Sequence, residues 1–355
     1  MFGFLKGGSK EPGVAYIKPL DLEIQVPKSQ SVLQAALEAG VDFPHSCKVG
    51  TCTSCRCKLL SGEVKAIRDF SYVLSAEELR HGYILACQSK IKPGDRIELD
   101  VEIDHNRPHI ERQDFAGVIK SSDALTHDIQ RVTVELDRPM EFIAGQYAEI
   151  TAPHMTDSRD YSFAAACEPS GSRQLQFYIR HTPGGTFTDW LFGESRVGEP
   201  LKVAGPMGDF WLRPADAPVL CVAGGSGLAP IKALLEAAVR SSIARDVVFL
   251  FGARTQRDLY DRDTIERLGG YWSAGFRFVP ILSHEPEDSD WQGARGLVTD
   301  YITAAEVPRL GQSHAYLCGP PGMIDAALEA LAGAGIDDSH IHYDKFLDAS
   351  SLGGR

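Results

Sequence analysis

Four cysteines restrict this chain more than any other feature of its sequence. Cys47, Cys52 and Cys55 follow the spacing C-x4-C-x2-C, and Cys87 comes 32 positions after Cys55. A centre held by four thiolates needs a loop that supplies three of them and a fold that returns the fourth. This spacing suits a 2Fe–2S cluster. Gly50 lets the loop backbone wrap tightly. Zinc is the competing metal, but zinc sites usually show two C-x2-C pairs or histidines, and one such pair is present here. Cys57, a fifth cysteine in the same stretch, reads as a buried bystander on the strand that follows.

The 355 residues suggest two or three domains. With 24% charged and 43% hydrophobic residues, the chain is ordinary globular material and neither a rod nor a disordered polymer. Its net charge of −12 gives no global attraction for phosphate backbones or anionic lipid, so no nucleic acid is expected as a partner. Eight cysteines are too few for a disulfide scaffold, which favours metal or redox work. The best apolar stretch, 217–239, is broken by Gly-Gly-Ser-Gly, a proline, a lysine and a glutamate. No membrane span is expected from it. The first residues lack the features of a signal peptide, and the expected location is the cytoplasm.

Three textures follow one another. Residues 1–14 read as a flexible tail. Residues 15–104 form a small mixed domain, with an alternating strand at 20–26, a helix at 31–39 capped by Ser29 or Ser31 and stopped by Gly40, and a strand at 96–103. A linker at 105–110 leads to residues 111–214, where short strands at 115–120, 129–136, 148–151, 175–180 and 201–204 suggest an antiparallel β-barrel. From 215 to 355, apolar runs at 218–223, 246–251, 276–282 and 314–317 alternate with helices at 231–240, 261–268 and 323–332. That alternation means a doubly wound parallel sheet. The expected fold class is therefore multidomain, α+β followed by α/β.

The barrel region contains Arg159-Asp160-Tyr161-Ser162. A flavin needs a cation for its pyrophosphate, an aromatic face for its ring and a small hydroxyl near its reactive nitrogen. Arg159, Tyr161 and Ser162 supply these, and strand alternation puts Arg159 and Tyr161 on one side. Pro183-Gly184-Gly185-Thr186-Phe187-Thr188 follows the strand ending in Arg180-His181, and bare glycine amides with a threonine hydroxyl at a helix start suit a pyrophosphate. His181 either helps to neutralise that phosphate or is a solvated strand end. Gly205-Pro206-Met207-Gly208 reads as a turn closing the barrel, without a ligand role. Further on, a buried run enters Gly224-Gly225-Ser226-Gly227-Leu228-Ala229-Pro230, the strand, Gly-rich turn and helix of a nucleotide-binding unit. It is neither G-x-G-x-x-G nor a Walker A loop.

The cysteine segment 44–55 with Ala86-Cys87-Gln88 resembles the plant-type ferredoxins. That resemblance implies a β-grasp fold for residues 15–104 and one-electron transfer. The domain is less acidic than free ferredoxins: residues 1–105 hold 13 Lys and Arg against 14 Asp and Glu. Residues 111–214 resemble the flavin domain of the ferredoxin–NADP reductase superfamily. The resemblance implies FAD contacts from Arg159, Tyr161 and Ser162, and pyrophosphate contacts from Gly184, Gly185 and Thr188. Gly224, Gly225, Ser226 and Gly227, with Tyr316-Leu317-Cys318-Gly319-Pro320-Pro321-Gly322, resemble the superfamily's pyridine-nucleotide domain, which implies that Cys318 and Gly319 lie near the nicotinamide. Ser162 and Cys318 are the implied catalytic pair. Phe346, in the closing Tyr343-Asp344-Lys345-Phe346 segment, is implied to pack by the flavin ring. Arg254 and Arg257 fall on the adenosine loop, where they could bind a 2′-phosphate or be solvated. The loop resembles that of NADH users, so NADH is expected, with NADPH as the alternative.

In module order the chain resembles reductase components of multicomponent oxygenases, of the benzoate dioxygenase and soluble methane monooxygenase type. The implied function is electron transfer from NAD(P)H through FAD and a 2Fe–2S cluster to a terminal oxygenase. Three alternatives stand beside it. One is the flavin subunit of a sodium-pumping quinone reductase, which carries an N-terminal membrane helix that has no counterpart here. The others are an electron donor of desaturase or demethylase type, and a relay subunit without its own turnover.

Overall fold

The computed structural model describes residues 11–45, 48–50, 53–103 and 110–346. Cys47, Cys52, residues 105–109 of the expected linker and the first ten residues of the expected tail lie outside these. The chain divides into two compact units, Met1–Glu111 and Arg112–Arg355.

In the first unit, β1 (Gly13–Ile17) and β2 (Leu22–Val26) form a hairpin. Alternation puts Ala15, Ile17, Ile24 and Val26 inside. The strand expected from 20 starts two residues later because Lys18–Leu20 is a 3-10 turn and Asp21 is left-handed. Helix α1 (Val32–Glu38) is capped by Ser31, whose Oγ accepts from the Gln34 N–H at 3.2 Å. Its apolar face buries Val32, Leu33, Ala35 and Ala36. There follow β3 (Arg56–Ser61), β4 (Lys65–Ala66), α2 (Ala76–Arg80), β5 (Tyr83–Leu85), β6 (Ser89–Lys90) and β7 (Arg96–Asp100). The main sheet has the order β2-β1-β7-β3-β5, with the parallel β1–β7 pair inside it, which is a β-grasp. The sheet includes Gly13 and Val14, two residues that read as tail in the sequence.

The second unit opens with six antiparallel strands: β8 (Gln113–Ala124), β9 (Ile129–Met140), β10 (Tyr147–Thr151), β11 (Arg159–Ser162), β12 (Ser172–Arg180) and β13 (Pro200–Met207). Helix α3 (Thr186–Gly193) lies between the last two. The order is β11-β10-β13-β8-β9-β12, and a bridge between Phe163 and Phe177 joins the two ends of the sheet into a barrel. β8 and β9 run longer than the sequence suggested, because a bulge between Ile119 and Ser121 bends the pair around the barrel without ending it.

The rest is a parallel sheet: β14 (Val219–Gly224), α4 (Leu228–Arg240), β15 (Val247–Ala253), α5 (Arg262–Tyr271), β16 (Phe276–Leu282), β17 (Ala294–Arg295), β18 (His314–Gly319), α6 (Pro321–Gly333) and β19 (Ile341–Lys345). β14 and β18 are buried along their whole length, as strands covered on both faces must be. The order β17-β16-β15-β14-β18-β19 reverses between β14 and β18. Such a switch leaves a crevice at the strands' C-terminal ends, where open α/β sheets take their ligands. Ile129, Tyr178 and Phe210 from the barrel share one apolar cluster with Val219 and Phe249 from the sheet and Leu234 from α4, so the two layers pack as one body.

At the opposite end of β18, histidines meet. His314 stacks on His340 with ring centres 4.2 Å apart, and Tyr316 lies 4.9 Å from His342. Burial, then the His340 and Arg245 charges, lowers His314 to about 4. Burial and the nearby Arg213 lower His342 to about 3. The unfolded chain takes up protons below its ordinary imidazole value while the folded chain refuses them. Stability is therefore complete above about pH 6.5 and falls as pH drops toward 4. His342 alone accounts for about 3 kcal/mol of that loss by pH 4. Thermal denaturation against pH is expected to be flat from 8 to 7 and to fall steeply below 6.5, and His342→Gln should flatten the fall. An unchanged profile in the variant would remove His342 from this account.

Candidate functional site

The iron–sulfur end is assembled by strand pairing. β3 and β5 are antiparallel with Arg56 opposite Leu85, and the Ala86 N–H donates to the Cys55 carbonyl at 3.1 Å. That register carries Cys87 back to the loop that holds Cys55. Both cysteines are buried. The loop backbone turns left-handed at Lys48, Gly50 and Thr53, with φ of 56°, 86° and 57°. Repeated reversals of this kind wrap a chain around a small centre, and non-glycine residues adopt them seldom. Gln88 ties the parts together. Its Nε2 donates to the Lys48 carbonyl at 3.5 Å, to the Cys87 carbonyl at 3.2 Å and toward Cys87 Sγ at 3.7 Å. Donors to sulfur stabilise a thiolate ligand and tune a cluster's potential. The sequence reading passed over Gln88, since one glutamine carries no spacing signal. Cys57 is buried on β3, and burial with the neighbouring Cys87 pushes its thiol up to about 12, so it stays neutral.

On the barrel, β11 pairs with β10, setting Ser162 opposite Tyr147 and Arg159 opposite Ile150. Arg159 is exposed at the strand's start, and Ser162 is buried at its end. Tyr161 packs on Phe187 of α3 with ring centres 5.3 Å apart, and burial raises its phenol, so the ring is a neutral aromatic face. The 183–188 loop adjoins this strand through that contact. Gly185 stands at the N-cap of α3 with no capping side chain. A Cβ on Gly185 would lie 2.6 Å from Thr188 Oγ1 and 2.8 Å from the Thr182 carbonyl, so only glycine fits. Gly184, by contrast, has open space around it. The Thr188 hydroxyl is buried and turned inward: it donates to the Thr182 carbonyl at 2.9 Å and accepts from the Thr182 N–H at 3.2 Å. Its place in this structure is to shape the loop that carries the bare amides. His181 is likewise committed, 2.8 Å from Asp189 Oδ1 and stacked on Phe192.

The nucleotide end sits at the switch point. Ala223 pairs with Cys318, which sets the Gly-rich turn beside the end of β18. Gly225, Ser226 and Gly227 form a 3-10 turn that runs straight into α4, so its amides face the crevice at a helix start. A Cβ on Gly227 would lie 2.1 Å from the Cys318 carbonyl oxygen. The close approach of turn to strand therefore depends on that glycine. The Cys318 side chain is fully buried, and burial with the charge of Asp344 holds its thiol well above the ordinary range. It is a neutral packing group without acid–base capacity near pH 7. The Phe346 N–H donates to the Gly319 carbonyl at 2.9 Å, and its ring packs on the cluster that contains Cys318 and Tyr178.

Arg180 was missed in the sequence. It ends β12 on the barrel, yet its guanidinium reaches the turn: a Cβ on Gly225 would lie 3.8 Å from Arg180 Nη1. Asp128 holds it through Nε at 2.8 Å. The legible signal was a cation at a strand end next to Pro-Gly-Gly, but which loop it would face is a matter of how barrel and sheet dock. Tyr260 completes the wall, donating from its hydroxyl to the Gly225 carbonyl at 2.8 Å. Arg254 is exposed in the next loop. There Gln256 donates through Nε2 to Glu285 and Asp290, both at 2.8 Å.

The residues fit the three groups the sequence implied: buried thiols on a wrapped loop, an aromatic face beside bare amides, and a glycine turn with a cation over it. Comparison with known proteins agrees. Residues 15–92 match the 2Fe-2S iron-sulfur cluster binding domain, 116–211 the oxidoreductase FAD-binding domain, and 221–329 the oxidoreductase NAD-binding domain. The chain is 41% identical over 327 residues to the xylene/toluene monooxygenase electron transfer component XylA of Pseudomonas putida, covering 92% of this chain and 91% of that one. It is 32% identical over 339 residues to the phenol 2-monooxygenase reductase component DmpP of a Pseudomonas species, covering 95% of each. The crystal structure of the Amycolatopsis cytochrome P450 reductase GcoB superposes with a TM-score of 0.80 at 32% identity, covering 95% of this chain and 99% of that one. The chain belongs to the family of NAD(P)H-dependent, FAD-containing 2Fe–2S reductases that serve as electron-transfer components of multicomponent oxygenases.

Proposed function

We propose that this reductase draws on NADH, works in the cytoplasm, and supplies a hydrocarbon-hydroxylating oxygenase of the kind served by its xylene/toluene relative. When bound, the cofactors supply two-electron transfer from NADH to FAD and one-electron transfer onward through the cluster. The protein binds and orients. In this reading Arg159 holds the flavin phosphate side, Tyr161 and Ser162 the ring, and Gly184 and Gly185 the pyrophosphate through their amides, with Thr188 keeping that loop in shape. Gly224, Gly225, Ser226 and Gly227 with Arg180 hold the nucleotide pyrophosphate, Cys318 and Gly319 form the nicotinamide end, and Phe346 packs by the flavin ring. Cys47, Cys52, Cys55 and Cys87 hold the cluster.

The observation that carries this reading is the convergence of the glycine turn, the β18 end and Arg180 on one crevice at the switch point. The choice of NADH is supported by Glu285 and Asp290 around Gln256 in the loop after β15. Two carboxylates there oppose a 2′-phosphate. The likeness to the xylene/toluene and phenol monooxygenase components supports the oxygenase reading over a quinone reductase.

The test is NADH and NADPH oxidation by the purified protein with ferricyanide and with cytochrome c. NADH is expected to be turned over with both acceptors and NADPH far more weakly. Absence of turnover with NADH would sink the reading. Arg180→Ala is expected to raise the KM for NADH about tenfold or more, as loss of one charge-assisted phosphate contact should, with little change in kcat for ferricyanide. An unaltered KM would take Arg180 out of the nucleotide site.

A further inference from the structure

Helix α4 carries Lys232, Glu236 and Arg240 at four-residue intervals, a single stripe along one face. All three address the barrel segment that directly follows Ser162. Lys232 Nζ donates to the Ala164 carbonyl at 2.8 Å and to Glu236 Oε1 at 2.5 Å, and it lies 6.0 Å from the centre of the Tyr178 ring. The Ala166 N–H donates to Glu236 Oε2 at 3.0 Å. Arg240 donates to the Cys167 carbonyl at 2.9 Å and to Glu168 at 3.1 Å. The opposite side of this segment is fastened to the barrel: the Phe163 N–H donates to the Gln146 carbonyl at 3.0 Å and the Ala164 N–H to Gln176 at 2.7 Å. Lys232 is only 5% exposed.

A buried lysine paired with a half-buried glutamate is a poor choice for stability alone, since apolar residues of similar size would serve as well or better. What the pair adds is register. Apolar surfaces tolerate sliding, whereas a buried ammonium and its carboxylate partner are satisfied only where the Ala164 carbonyl and the Ala166 amide stand. The same helix begins one residue after the Gly225–Gly227 turn, and the segment it grips begins one residue after the Arg159–Ser162 strand. We propose that Lys232, Glu236 and Arg240 form a register pin that sets the nucleotide turn against the flavin strand, making them positioning residues for transfer from NADH to FAD. The proposal rests on the assignment of those two elements to nucleotide and flavin.

The experiment uses the full-length, cofactor-loaded protein in three forms: wild type, Lys232→Met, and the double variant Lys232→Met with Glu236→Leu. Stopped-flow mixing with NADH gives the rate of flavin bleaching, the NADH Kd and the long-wavelength charge-transfer absorbance. Hydrogen exchange before mixing reports the amides of residues 163–168. Lys232→Met is expected to bleach about ten- to a hundredfold more slowly, as misplacement by about 1 Å would cause. Its NADH Kd should be unchanged, its charge-transfer band weakened and its exchange at 163–168 faster. The double variant, with no orphaned charge, should regain wild-type thermal stability and stay slow. It decides the matter even if Lys232→Met fails to fold. A stable double variant that bleaches at the wild-type rate overturns the pin, as does a Kd that rises in step with the lost rate. If wild type itself is bleached by dithionite but not by NADH, the assignment of the two elements fails, and the pin with it.

Discussion

Gly227→Ala is expected to abolish most NADH-dependent flavin reduction while leaving the iron–sulfur unit untouched. A methyl at this position would stand 2.1 Å from the Cys318 carbonyl oxygen, 2.5 Å from its carbon and 2.8 Å from the Gly319 nitrogen. These are backbone atoms of a strand locked in register with β14, so they have nowhere to go. The turn itself must move outward by about 1 Å to reach ordinary contact, which carries its amides off the phosphate and is enough to slow the reaction about a hundredfold. Overpacking at such a site also destabilises by about 1–3 kcal/mol. Stopped-flow reduction by NADH reads the first effect and a urea midpoint the second. Gly322→Ala is the matched control: it lies in α6 with no atom within 4 Å of the added methyl, and alanine favours helix. Equal effects from both substitutions would contradict the close-approach argument.

Replacing Cys87 or Cys52 with serine is expected to remove the visible absorbance of the cluster and bring cytochrome c reduction to background, while ferricyanide reduction by NADH persists. The separation follows from architecture. Cys87 belongs to the compact unit Met1–Glu111, and the flavin and nucleotide elements belong to Arg112–Arg355, which has its own apolar cores. Ferricyanide takes electrons from flavin directly, whereas a one-electron protein acceptor depends on the cluster. Absorbance at 400–600 nm, iron and sulfide content and the two acceptor assays give the answer together. Loss of both activities at once would mean that the two units do not work in the proposed order.

Much of this molecule was legible before any coordinates. The cysteine spacing named the cluster. Alternation at 20–26 and the helical period at 31–39, with Ser29 or Ser31 as cap, placed the first elements to within two residues. The fully apolar run at 218–223 announced a strand buried on both faces. These are local signals, written by residues close in sequence. Short strands were harder: β5 and β19 carry neither a long alternation nor strong turn residues, and they exist because partners across the sheet supply their hydrogen bonds.

Loops proposed to hold phosphate through bare amides could be read from glycine patterns, because an amide site depends on the local backbone. What long side chains do could not. Thr188 carried a hydroxyl suited to phosphate, yet it turns back to Thr182 and shapes the loop. Arg180 looked like a strand-end cation and reaches the turn at Gly225. Lys232, Glu236 and Arg240 carry no spacing signal of their own, yet they grip residues 164–168. The sequence by itself determined the modules, their order and the chemistry of each, since those reside in spacing and period. The docking of sheet on barrel decided what each charged side chain faces, because a charge's role depends on what lies within a few ångströms of its tip, and those neighbours come from elsewhere in the chain.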